Sequence, residues 1–350
     1  MNEFLPERIK KVQSKLKNDH VDGILVRNPL NVFYLTAVKA DDAFLLITKS
    51  KNYFFVDLRS YSEVNKALIG FEVVVLKNFK DDVEKVLKQK KINKLGFESN
   101  YCSCDFYESM KDKFLDFEIV PLKNYIEDLR HIKDEYEIYL IRKSAKLTKK
   151  LFKILTNALP EAKTEKDLER VFLKRLIDLR NVCPSFDIII ANGVGTSVPH
   201  HITSEQRINY NDITLIDMGV LVNSYASDFT FMILPEEARK NQEILKTYNL
   251  VKQAQKKAIL SIKEGVLAKD VYNEAFKVFA KAKVDKYFTH SLGHSVGLEV
   301  HDGLSLGPNS DFKLKEGMVF TIEPGLYFPG KFGIRLETMV VVRKDHVEEI

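Results

Sequence analysis

Cysteine is scarce in this chain. Only Cys102, Cys104 and Cys183 occur among 350 residues, and an odd, sparse set cannot supply the bridges on which small secreted domains depend. A disulfide framework is excluded, and a reducing compartment fits. The single residue between Cys102 and Cys104 is neither a zinc-knuckle nor a redox spacing, so these thiols read as inert. No apolar run approaches the roughly 20 residues that cross a bilayer. The opening MNEFLPERIKK carries charge where a secretory leader needs an apolar core. The expectation is a cytoplasmic protein with no membrane partner. No basic block or tail occurs either: 54 Lys and Arg are interleaved with 49 Asp and Glu for a net charge of +5, so nucleic acid is not an expected partner. Short tandem repeats and low-complexity tracts are absent as well.

What is present is the balance of an ordinary globular protein, 45% apolar and 29% charged. The length exceeds one hydrophobic core, so two domains are expected. From Val21 to about Val120, short apolar runs (GILV at 23 to 26, AFLLI at 43 to 47, YFFV at 53 to 56, FEVVVL at 71 to 76) alternate with amphipathic Lys-rich segments. That alternation predicts an α/β domain, with turns expected at Asn28, Pro29, Asn31 and Gly70. A charged stretch, IEDLRHIKDEY, then precedes apolar residues at Ile138, Ile141, Ala145, Phe152 and Leu155 in helical spacing. The boundary is placed at 128, giving domains 1–128 and 129–350.

In the second domain, Thr164 and Asp167 form a capping box ahead of a helix carrying Leu168, Val171, Phe172 and Leu176. Further helices are predicted from about Pro235 to Gly265 and from Ala268 to Lys283. Strand-like runs start at Phe186, Ile213, Ser227, Met318 and Ile334. The pattern is α+β, with helices covering one face of a mainly antiparallel sheet.

In four of those runs an acid stands out. Asp217 interrupts ITLIDMG, Asp228 opens SDFTFMIL, Glu323 interrupts VFTIEP, and Glu337 interrupts IRLETMVVV. A carboxylate withdrawn from water is costly unless its charge is compensated. A turn at Val222 to Ser224 would make Asp217 and Asp228 face each other across a hairpin, where they would repel. One such acid is more simply explained by a neighbouring Lys or Arg; four on successive strands point to cations. Carboxylates with one imidazole suit manganese, cobalt, zinc or iron. Five of the eight histidines fall in two segments, PHH at 199 to 201 and THSLGHSVGLEVHDG at 289 to 303. Glycines 293, 297 and 303 are read as keeping the second segment open, with His290, His294 and His301 on the rim of a site.

The segments LIDMG, SDFT, HSLGHSVGLEVHDG, TIEPGLYFPG and IRLE resemble the signature of the pita-bread metallopeptidases, which include methionine aminopeptidase, aminopeptidase P and prolidase. The segment RNPLNVFYLTAVKADDAFLLITKSKNYFFVDLRSYSEV resembles the creatinase-type domain that precedes the catalytic domain in prolidase and aminopeptidase P. The implied fold is an α/β creatinase-like amino-terminal domain followed by an α+β pita-bread catalytic domain.

The resemblance implies two divalent metal ions per chain, manganese or cobalt before zinc or iron, held by Asp217, Asp228, His294, Glu323 and Glu337. It further implies attack on a peptide bond preceding proline by a metal-bridging hydroxide, with Glu323 taking its proton and His200 and His301 bonding the intermediate and leaving group. His290 and Tyr327 would line the substrate pocket, and Arg335 and Thr230 would support the ligands from behind. Short proline-containing peptides are the implied substrates and a homodimer the expected assembly. One departure stands out: the family reads D-x-T-R, whereas Phe231 follows Asp228, Phe229 and Thr230. Phe231 is therefore expected to make the pocket more apolar, favouring a proline ring over a free carboxylate. The rival readings are a peptide-binding module that has lost its metals, a metal-free creatinase-like hydrolase, and an aminopeptidase without proline preference. Five ligand-type residues kept together argue against the first two.

Overall fold

Buried apolar runs separated by one-sided helices build the first part of the chain around a single mixed sheet. The computed structural model describes residues 4–40 and 42–350, so the first three residues of the charged amino-terminal segment lie outside the described residues. The chain divides into two compact units, one ending at Arg130 and the other spanning His131–Ile350. In the first, the strands lie in the order Glu72–Val75, Asn52–Val56, Phe44–Thr48, Gly23–Val26, Lys94–Glu98 and Glu118–Leu122. Gly23–Val26 and Phe44–Thr48 are buried along their whole length, as central strands covered on both faces must be.

The turn expected at Asn28 to Asn31 is instead the start of a helix, Pro29–Thr36. The Asn28 side chain caps it by accepting from Leu30 N–H, and proline fits the first turn because its missing N–H would have no partner there. Asn31 is fully buried and donates to Glu98 Oε1 at 2.6 Å. Gly70, with φ of +83°, does sit in a bend between elements.

The second unit begins with the helix Glu135–Ala158, closed by an Asp134/Glu137 capping box. Glu165–Ile177 follows, with the expected Thr164/Asp167 box in place. The helix expected over 235 to 265 is two helices, Glu236–Lys240 and Gln242–Ser261, because the Asn241 side chain accepts from Glu243 and Ile244 N–H and so starts a new helix. Ala268–Lys281 ends just before Lys283.

Strand pairing in this unit is antiparallel throughout, but it is divided among small sheets rather than gathered into one. Phe229–Ile233, Thr214–Met218 and Ile189–Asn192 form one sheet. Val319–Ile322, Thr338–Val342 and Val347–Glu349 form a second, and Gly325–Phe328 pairs with Phe332–Arg335. The strand expected from Ile334 onward is broken at Leu336 and Glu337, where Glu337 N–H leaves the ladder and donates to Thr230 O. The expected turn does occur: Val222 pairs with Tyr225, and Asn223 and Ser224 both take positive φ, 49° and 75°, the geometry of a two-residue hairpin loop.

Helices Glu135–Ala158 and Glu165–Ile177 bury Leu151, Leu155, Leu168 and Phe172 against Ile190, Ile216 and Met218. Phe231 belongs to this packing. It sits opposite Ile216 in the ladder, one residue from Thr230 and hence on the other face. Its ring stacks on Phe152 with centroids 3.9 Å apart and planes at 11°, a contact worth roughly 0.5–1.5 kcal/mol beyond the area it covers. The expectation that Phe231 forms a pocket wall is therefore overturned by strand alternation.

Thr164→Ala removes the hydroxyl that accepts from Asp167 N–H and should cost about 1 kcal/mol. For a unit of this size that lowers the melting midpoint by roughly 2–4 °C. Calorimetry of the two proteins checks this; equal midpoints would show that the cap contributes nothing.

Candidate active site

The second unit's broken sheets bring the acids together at strand ends. Only Asp217 lies within a strand, opposite Thr230 on one side and Ile189 on the other. Asp228 immediately precedes Phe229–Ile233, Glu323 follows Val319–Ile322, and Glu337 precedes Thr338–Val342. The expectation that Asp217, Glu323 and Glu337 interrupt strands thus holds for Asp217 alone, while Asp228 stands at the opening of its strand as expected. Asp228 lies diagonally from Asp217, beyond the Phe229↔Met218 pair, on the same face rather than directly opposite.

The segment carrying His294 is packed tightly against this assembly rather than held open. A Cβ on Gly293 would lie 1.9 Å from Thr321 O, so only glycine allows the close approach. Thr321 N–H then donates to His294 O at 2.9 Å. His294 Nε2 consequently lies 3.4 Å from both Asp228 Oδ2 and Glu323 Oε1. Asp228, His294 and Glu337 each offer one ligand atom within 4.8 Å of the other two. Asp217 completes the cluster. Its Oδ2 accepts from Arg335 Nη2 at 2.5 Å, while its Oδ1 is buried without a hydrogen-bond partner. A buried acceptor left unpaired beside three more acids fits a cation, which would satisfy it and offset the repulsion.

Three of the acids have a polar residue two positions away in the chain; Thr321 bonds its own neighbour Glu323, whereas Thr230, near Asp228, bonds Glu337, and Arg335, near Glu337, bonds Asp217. Thr230 Oγ1 donates to Glu337 Oε2 at 2.8 Å and accepts from Arg335 Nε at 2.8 Å. Thr321 Oγ1 accepts from His294 N–H at 3.0 Å and donates to Glu323 Oε1 at 3.1 Å. Sequence reasoning missed Thr321, although the period of two that pairs Asp228 with Thr230 and Arg335 with Glu337 also pairs Thr321 with Glu323.

Burial lifts the Asp217 carboxyl to about 7 despite the opposing Arg335 charge. Glu323 rises to about 7 for the same reason, with His294 opposing. Burial and the neighbouring Asp228 charge push Glu337 well above the ordinary carboxylate range. Burial disfavours charge on His294, but its bond to Asp228 and the Glu323 charge outweigh it and raise the imidazole to about 9. Burial takes His290 down to about 4, so this ring is neutral at physiological pH. Its Nδ1–H donates to Ser291 O at 2.7 Å, and its Nε2 accepts from the Tyr327 hydroxyl at 3.1 Å. Tyr327 in turn accepts from Arg335 Nη1 at 2.8 Å, so the three side chains hold one another in a single orientation.

These residues open onto a cleft of about 870 Å³, at the large end for ligand sites. Asp217, Asp228, His294, Glu323, Glu337, His290, Tyr327, Arg335, His200 and His301 all line it, with Phe186, Ile189, Leu221 and Leu298 adding apolar wall that sequence reasoning did not single out. The His301 ring lies 3.9 Å from that of His294, centroid to centroid. Like Phe231, Thr230 is not at the cleft surface; it is buried behind Arg335 and Glu337.

Residues 139–344 match the model of metallopeptidase family M24, and residues 8–132 match the creatinase/prolidase N-terminal domain. The chain belongs to metallopeptidase family M24. It is 32% identical over 346 residues to an Xaa-Pro dipeptidase of Pyrococcus horikoshii, covering 98% of this chain and 96% of the relative. Among solved structures, an Xaa-Pro dipeptidase from Bacillus anthracis superposes with a TM-score of 0.92 at 29% identity, covering 99% of this chain and 97% of that one. An X-Pro aminopeptidase from Thermotoga maritima gives 0.88 at 27% identity, covering 94% and 95%. The fold is thus the creatinase-like domain followed by the pita-bread catalytic domain.

The raised carboxyls hold protons that the unfolded chain would have released above about pH 4. Their burial therefore costs the metal-free protein stability as pH rises through about 7, and a bound cation removes that cost. Divalent metal should displace protons at pH 6.5, with affinity climbing through pH 7 and further as His294 deprotonates near 9. Calorimetric titration in buffers of differing ionisation enthalpy measures the release. An affinity that did not change from pH 6 to 9 would contradict these shifts.

Proposed function

We propose that this chain is a two-metal peptidase that cleaves short peptides at the bond preceding proline. The observation carrying the proposal is the group of Asp228, His294 and Glu337, with Glu323 beside His294 and the buried, unpartnered Asp217 Oδ1 lining the same cleft. Asp217, Asp228, His294, Glu323 and Glu337 would hold the two ions, manganese or cobalt before zinc or iron. When bound, the ions supply positive charge that acidifies a water and polarises the scissile carbonyl.

The remaining chemistry falls to side chains. Glu323, whose proton affinity burial lifts toward neutrality, accepts the proton released by the nucleophile. His301, kept below the ordinary imidazole range chiefly by burial, and His200 donate hydrogen bonds to the tetrahedral intermediate and the leaving group. Arg335 anchors Asp217, and Thr230 anchors Glu337. A peptide bond to proline has no N–H, so the pocket needs no acceptor there, only space for a rigid ring. The neutral His290 and the Tyr327 ring supply such walls. The names of the Pyrococcus and Thermotoga proteins support the same substrate class. Three cysteines, all free, support a reducing, cytoplasmic setting, and among the described residues no helix is long and apolar enough to cross a membrane. Exposed Val194, Val198 and Ile202 flank His200 and support a homodimer closing that side.

The purified protein should bind about two divalent ions per chain, lose activity to a chelator, and cleave Ala-Pro faster than Ala-Ala if it acts as a dipeptidase, or Ala-Pro-Ala faster than Ala-Ala-Ala if it acts as an aminopeptidase. Activity surviving complete metal removal would refute the metal mechanism, and equal rates within each pair would refute proline preference.

His301→Ala should keep its metals and lose turnover by roughly 10²- to 10⁴-fold, whereas His294→Ala should lose metal. Metal analysis beside kinetics separates them; an emptied site in the His301 variant alone would reverse the two roles.

A further inference from the structure

His301 is exposed in the cleft, yet the residue after it is among the most deeply buried charges in the second unit. Asp302 Oδ2 lies 2.9 Å from Lys133 Nζ, and the two side chains are 3% and 1% exposed. Lys133 is itself fixed. Its backbone N–H donates to Gly317 O at 3.0 Å, just ahead of the helix Glu135–Ala158. Around the pair the chain folds tightly back on itself: Asp302 N–H donates to Ser295 O at 2.8 Å, and Gly297 N–H donates to Glu299 O at 3.0 Å. A Cβ on Gly297 would lie 2.3 Å from Asp302 Oδ2 and 3.0 Å from Lys133 Cε, so the ion pair occupies the space that any other residue would need. Gly297 O accepts from Ala226 N–H at 2.8 Å, tying the same turn to the strand that leads into Asp228.

We propose that Lys133 is a positioning residue: its buried ion pair with Asp302 fixes the turn that sets the His301 imidazole against His294. Removing two charges from water is unfavourable, and apolar side chains of similar volume serve stability as well or better. What the pair adds is direction. A lysine ammonium and a carboxylate constrain separation and orientation where two apolar groups would slide, and the constrained residue is bonded directly to His301. The inference rests on the reading of His301 as a group that acts on the substrate.

The test compares two double variants with the wild-type protein. In Lys133→Met with Asp302→Leu, metal content and KM for whichever of Ala-Pro and Ala-Pro-Ala the wild-type protein cleaves should stay within about twofold while kcat falls at least tenfold. The His294–His301 ring separation in a crystal structure should move from 3.9 Å. In Lys133→Gln with Asp302→Asn, which keeps a hydrogen bond without the charges, kcat should fall by about threefold. Either folded variant with wild-type kcat and an unmoved His301 would overturn the proposal. If the apolar pair does not fold, the amide pair decides by the same two readouts. Wild-type protein that cleaves neither Ala-Pro nor Ala-Pro-Ala would instead sink the functional reading, and the ring displacement would still judge the positioning.

Discussion

Acids withdrawn together from water set the terms for the rest of the second unit. Asp217, Asp228 and Glu337 are buried and Glu323 nearly so, and Arg335 is the cation paired directly to one of them. A ligating histidine must be neutral, so four ionised carboxylates and one guanidinium leave a local charge of −3. One divalent ion would reduce this to −1; two would bring it to +1, the sign that favours charge developing on a carbonyl oxygen. The electrostatics of the protein groups, as well as their number, thus support the proposed pair of ions. The same arithmetic explains why burial and the neighbouring carboxylate charges drive these carboxyls toward neutrality in the metal-free protein: holding a proton also reduces the charge.

The broken sheets are the structural response to that demand. A continuous strand fixes each side chain normal to its sheet, which would spread four acids over one face at strand spacing. Ending the strands at Asp228, Glu323 and Glu337 lets three carboxylates turn toward the one held within the ladder, Asp217. The helpers remain inside or beside the strands, where geometry is rigid. Thr230, Thr321 and Arg335 then pass that rigidity to the acids through hydrogen bonds of 2.5 to 3.1 Å.

Much of this was legible in the sequence because it depends on local chemistry. The Thr164/Asp167 box, the apolar runs of the first sheet and the Asn223–Ser224 hairpin are short-range features, and each lies where its residues indicate. The acids and histidines could be chosen because charge in an apolar run is anomalous wherever it occurs. What could not be read is tertiary. Asn28 and Asn31 have turn chemistry, but Glu98, distant in sequence, captures Asn31 inside a helix. The break at Leu336–Glu337 depends on Thr230 O, more than a hundred residues earlier.

Phe231 and Gly293 show how a correct anomaly can be given the wrong meaning. Phe231 was conspicuous beside Asp228, but nearness in sequence is not nearness in space: one residue along a strand is a change of face, and Phe152 was already waiting on the other side. Gly293 suggested looseness by its permissive backbone, yet its absent side chain is what permits the close approach of Thr321 O. In both cases the deciding quantity is what lies across from the residue. Period-two alternation supplies that for strands, which is why it recovers Thr230, Arg335 and, applied once more, Thr321. No comparable period exists for the segment from Leu292 to Leu306, whose shape is set by backbone bonds to other elements and by a charge pair reaching Lys133. There the order of residues names the chemistry and only the packing assigns its direction.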